Sequence, residues 1–104
     1  MPKYRNLEHC VINSDNVQPN AVINTEINDT AIGLLWGCEV NSGKMGFYFI
    51  MKGEIMPVKA AAQLSEVKDT AGKLNLYFEG GTLKFQNKLG STLYLYVKFE
   101  ALTE

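Results

Sequence analysis

The chain is poor in the residues that most reactions and metal sites need. It has one histidine and two cysteines in 104 residues, and Arg5 is its sole arginine. Metal centres need ligand clusters at fixed spacing, and His9, Cys10 and Cys38 contain no C-x-x-C. The planar guanidinium fork that reads phosphate is nearly missing, and the formal net charge is -1. Nothing therefore draws the chain toward nucleic acid or an anionic membrane. No stretch approaches the roughly 18 apolar residues of a membrane-spanning helix. "MPKYRNLEHC" lacks the apolar run of a secretory signal, so the expected place of synthesis is the cytoplasm, with no encoded route out.

Catalytic signatures are missing too. There is no phosphate loop, dinucleotide fingerprint or nucleophile elbow. His9 and Cys10 are neighbours, and neighbours in a strand point to opposite faces, so they make a poor nucleophile pair. Asp15, Glu26 and Asp29 lack the loop spacing of a calcium site. A carboxylate pair for glycoside hydrolysis would meet only in space and leaves no sequence mark. No catalytic residue, metal or cofactor is assigned, and the chain reads as non-catalytic. In a reducing compartment the two cysteines read as free thiols, with Cys38 in a core row beside Trp36. Asn28-Asp29-Thr30 fits a glycosylation acceptor, but without a secretory signal it reads as chance.

What the chain has in quantity is alternation. In "STLYLYVKFEAL", Leu93, Leu95, Val97, Phe99 and Ala101 form an apolar row. Thr92, Tyr94, Tyr96, Lys98 and Glu100 form a polar one. Period two means a β-strand with one face in a core. "AIGLLWGCEV" and "KMGFYFIMK", separated by "NSG", read as an antiparallel hairpin. Its larger residues (Ile32, Leu34, Trp36, Cys38 and Val40, then Met45, Phe47, Phe49 and Met51) are taken as the core rows. Ala31, Gly33, Leu35, Gly37, Gly46, Tyr48 and Ile50 then lie opposite, where the glycines admit a close backbone or a large side chain. "KLNLYFEG" and "TLKFQ" form a second hairpin about Gly80-Gly81. The inward rows thus supply Trp36, Phe47, Phe49, Phe78, Phe85 and Phe99.

Residues 57–68 depart from this pattern. Pro57 suits the first turn of a helix, Ala60, Leu64 and Val67 follow at helical spacing, and the alanines are strong helix formers. The segment reads as a short helix, or else as another strand ended by "DTAG". Residues 1–29 are rich in asparagine. "HCVIN" and "AVINTEI" are short strand candidates around a turn at "SDNVQPN", and the region reads as edge strands or as an arm that a partner orders. The expected architecture is one mainly β domain over 1–104: an antiparallel sandwich, jelly-roll-like, with its core in 30–104 and at most one short helix near 57–68.

Tyrosine segregates from phenylalanine in this reading. Tyr48, Tyr77, Tyr94 and Tyr96 fall in rows opposite the phenylalanines, with Ile50 beside them. Tyrosine suits any half-exposed strand. It is also enriched where surfaces meet, because it buries much area with few rotatable bonds. Tyr48, Ile50, Tyr77, Tyr94 and Tyr96 are the candidate interface or ligand face, for a second copy of the chain, a protein receptor or a sugar.

"NSGKMGFYFIM" followed by "GSTLYLYVKFEAL" resembles the strand pairs of small trimeric jelly-roll heads, the C1q-like domains, and of bacteriophage fibre-tip and head-fibre proteins. The resemblance implies a homo-oligomer, a trimer first, that binds a receptor or sugar and belongs to a virion or fibre. A monomeric domain binding a carbohydrate or small ligand on its tyrosines is the second expectation.

Overall fold

The structure is a computed structural model and describes residues 10–41 and 43–102, with the side chains of Cys10, Val11 and Cys38 left aside. It is all β. The strands are β1 (Cys10–Val17), β2 (Val22–Asn28), β3 (Ile32–Glu39), β4 (Lys44–Met51), β5 (Glu54–Ala60), β6 (Leu64–Ser65), β7 (Leu74–Glu79), β8 (Thr82–Asn87) and β9 (Leu93–Ala101). They form two sheets packed as a sandwich. One has five strands in the order β1-β9-β3-β4-β5, the other four in the order β2-β8-β7-β6. Neighbours are antiparallel except the short β6, which runs parallel to β7.

Two tight turns set much of the register. Gly80 and Gly81 both have positive φ, 64° and 86°, between the paired residues Glu79 and Thr82. Lys52 and Gly53 repeat this at 47° and 87° between Met51 and Glu54. Two successive left-handed residues match the right-handed twist of the strands they join.

The segment 57–68 forms no helix, and none occurs among the described residues. Helical propensity yields to strand pairing. Pro57 stands opposite Tyr48 in β5, at the edge of the five-stranded sheet, where a missing N–H need not break the ladder. A register shift between Phe47 and Tyr48 accommodates Val58, which is exposed. The expected turn at 14–20 is shorter than the sequence suggests: β1 continues to Val17, and Ala21 N–H closes the turn on the Gln18 carbonyl at 3.0 Å. Both N-terminal strands lie at edges, β1 of one sheet and β2 of the other.

The core lies between the sheets, and its composition corrects the expected face of the β3–β4 hairpin. Leu35, Tyr48 and Ile50 are fully buried there with Leu95 and Val97 of β9. Trp36, Phe47 and Phe49 are only half-buried, on the other face. Phe85 and Phe99 are core residues as expected, and Phe78 packs at the margin. The cause is β9. Its apolar row must face inward, and it pairs with β3 so that Phe99 stands opposite Leu35 and Val97 opposite Gly37. Residues directly opposite share a face, so the odd-numbered residues of β3 go in with them. The glycines of that row are sockets. An added Cβ would come within 2.6 Å of the Phe99 ring at Gly33, 3.3 Å of the Phe85 ring at Gly37 and 2.5 Å of the Tyr48 ring at Gly46.

Candidate functional site

The outward face of the five-stranded sheet is apolar at its centre. Trp36 on β3 and Phe47 on β4 are cross-strand partners, and their rings stack with centroids 5.3 Å apart and planes 21° from parallel. Such offset pairs gain about 0.5–1.5 kcal/mol beyond their buried area. In the next row Phe49 lies between Leu34 and Met56. Met45, Met51 and Tyr96 are exposed around this centre, and Tyr94 is half-buried. Lys98 stands opposite Trp36 on the β9 side and Lys59 opposite Phe47 on the β5 side.

The four-stranded sheet is different, because its outward face is closed by its own chain. Asp69 N–H donates to Gln86 Oε1 at 2.8 Å, and Gln86 Nε2 donates to Asp69 Oδ1 at 2.7 Å. Asn75 Nδ2 donates to the Thr70 carbonyl at 3.1 Å. Lys68 bridges to Glu79 at 2.6 Å, with its ammonium 5.9 Å from the centre of the Tyr77 ring. That contact raises the Lys68 pKa, chiefly through its hydrogen bond with Glu79. Residues 66–72 thus lie over Asn75, Tyr77 and Gln86, all buried.

The five residues expected on one face are therefore divided among three places. Tyr48 and Ile50 are fully buried between the sheets. Tyr77 is buried on the outward side of the four-stranded sheet. Tyr94 and Tyr96 alone lie on the outward face of the five-stranded sheet. Their companions there are Trp36, Phe47 and Phe49, which the sequence pattern places in the core. The polar row of β9 carries the signal that finds them, since whatever pairs beside Lys98 and Glu100 must face outward. His9 lies outside the described residues, as do the thiols of Cys10 and Cys38. Among the described residues no group of three His, Cys, Asp or Glu side chains is placed to hold a metal ion.

Tyr48 has a chemical consequence of its own. Its hydroxyl is buried and finds no hydrogen-bond partner among the described residues. Burial, helped by the negative charge of Glu66, pushes its pKa well above the ordinary value of 10.0. Burial also raises Tyr77. Above about pH 10 an unfolded chain releases these protons while the folded one keeps them. Stability is then full below pH 10 and falls above it, by up to about 1.4 kcal/mol per pH unit for Tyr48, with Tyr77 acting in the same direction. Urea titrations from pH 8 to 11 should show that fall. Tyr48→Phe should shrink it and, by removing a desolvated hydroxyl, raise stability at neutral pH by about 1 kcal/mol. A flat alkaline limb in the parent protein would contradict this.

No protein-family model matches the chain, and no curated protein or solved structure matches it.

Proposed function

We propose that this protein is a non-catalytic assembly module, a homo-oligomer that works by covering the outward face of its five-stranded sheet. The Trp36–Phe47 stack carries this reading: two large aromatic side chains lie on the side of the sheet facing away from the core, with exposed methionines beside them. Four strands from β9 to β5, seven to nine residues long, present about 500 Å² in projection at ordinary strand spacing and rise. The apolar centre on β3 and β4 is flanked by Lys98 and Glu100 on β9 and Lys59 on β5, and an apolar patch rimmed by polar residues marks a contact site. The resemblance to trimeric jelly-roll heads and phage fibre tips supports a virion or fibre component as the setting.

Light scattering behind size-exclusion chromatography tests the reading. The parent chain should run as an oligomer at high micromolar concentration. Phe47→Lys should dissociate it at unchanged circular dichroism, because Phe47 stands outside the buried core. A parent chain that stays monomeric refutes assembly through this face, and a ligand platform on the same aromatics becomes the better reading.

A further inference from the structure

We infer that the partner of this face is a second copy of the same face, stacked about a two-fold axis that crosses the strands between the Trp36 and Leu34 rows. The inference rests on the assembly reading and makes it specific. Two adjacent rows run across the four strands β9, β3, β4 and β5, with β1 beyond β9. One reads Lys98, Trp36, Phe47, Lys59, and the other Glu100, Leu34, Phe49, Met56. The first has a cation at each end, the second an anion at its β9 end. Lys98 and Glu100 make no ion pair with any described residue.

Two-fold placements of this face on itself are few, and charge separates them. An axis along the strands exchanges the β9 and β5 sides and sets Lys98 against the second copy's Lys59. An axis across the strands on the Trp36 row sets each of those lysines against itself, and on the Leu34 row it sets Glu100 against itself. Between the two rows, every like-charge contact disappears. Lys98 then meets the second copy's Glu100, and Glu100 its Lys98. Phe47 meets Phe49, Trp36 meets Leu34, and Met45 lies over Met51. The stacked sheets would keep their strands within about 30° of each other, as packed sheets do. The two copies together bury about 1,000 Å², the lower bound of a specific interface. A cyclic trimer cannot use this match, because it joins two different patches rather than one patch to itself.

Charge reversal tests the arrangement. Sedimentation velocity on the parent chain should show a dimer. Lys98→Glu or Glu100→Lys alone places like charges together twice over and should weaken the dimer about tenfold or more. The double variant Lys98→Glu/Glu100→Lys should recover parent affinity to within about threefold, since the pairs re-form with signs exchanged. Both positions lie on the outward row of β9, so circular dichroism should stay at parental values and report the fold independently, while Tm follows the dimer by mass action. A parent trimer, single reversals without effect, or a double variant that fails to recover would each overturn the two-fold arrangement. If the parent chain associates and Phe47→Lys dissociates it, such a result leaves assembly through this face standing. If the parent chain is monomeric, both fall together.

Discussion

Gly33→Ala is expected to destabilise the protein by about 3 kcal/mol or more, and overpacking of this kind leaves few small domains folded under mild stress. The added methyl would overlap the backbone carbonyl oxygen of Glu100 and come within 2.6 Å of Phe99 Cζ. That carbonyl belongs to β9, which pairs with β3 along seven residue pairs. It cannot retreat without parting the two strands at the centre of the sheet. Gly37→Ala is the control. Its methyl would meet the far edge of the Phe85 ring at 3.3 Å, where a small ring shift relieves the contact. Its cost should stay near 1 kcal/mol. Urea midpoints for the two variants check the pair, and equal costs would mean that the Gly33 socket is not rigid.

The second large effect is at Asn87. Its Nδ2 hydrogens are shared among the carbonyls of Val17 at 3.0 Å, Gln18 at 3.1 Å and Ser91 at 2.8 Å. Its Oδ1 accepts from Leu89 N–H at 3.0 Å. The side chain is fully buried. It ties the end of β1, in one sheet, to the end of β8, in the other, and holds the turn that leads into β9. Asn87→Ala removes all four bonds and leaves the carbonyl of Val17, a buried residue, without this partner. At about 1 kcal/mol per lost bond, with water taking up part of the loss at the exposed Gln18 and Ser91, the cost is about 3–4 kcal/mol. For a domain of this size that corresponds to a Tm lower by about 12 °C or more. Asn87→Asp should do no better, because a carboxylate cannot donate to carbonyls. A Tm change of under about 4 °C would show that solvent replaces the stitch.

How much of this was readable in the sequence depends on which strand is asked. β9 could be read in full, because a strict polar row opposite an apolar row leaves one orientation. The β7–β8 hairpin was also plain, since Gly80-Gly81 permits the turn that its strands require. The β3–β4 hairpin was readable as a hairpin but not as a face. Both of its rows are apolar, so its alternation has no sign of its own and takes one only from the register with β9. Size misled as well: the larger residues lie outside and the glycines inside, because the glycines are holes for Phe99, Phe85 and Tyr48. β5 was hidden by alanines with helical propensity, although Lys52-Gly53 marked the turn before it. The candidate face inherited these errors. Tyr94 and Tyr96 were placed by β9 and stand where it put them. Tyr48 and Ile50 followed the hairpin's assigned parity and moved into the core with it. Tyr77 was placed opposite the core correctly, but local alternation could not show that residues 66–72 fold back over it.

The position of β9 also constrains the order in which the molecule can be made. β1 and β3 are not neighbours; the strand between them is the last of the nine among the described residues. While a ribosome is still translating residues before Leu93, β1 has no sheet to join and β3 has an open side. Emerging hairpins can form early, β3 with β4 and β7 with β8, since their partners are adjacent in the chain. Closure of the five-stranded sheet must wait for the final strand to slide between two others, a pairing of long sequence separation and correspondingly slow formation. During that interval the apolar outward row of β3 and β4 and its unpaired edge are exposed together, which makes nascent or truncated chains ending before β9 natural clients for chaperones.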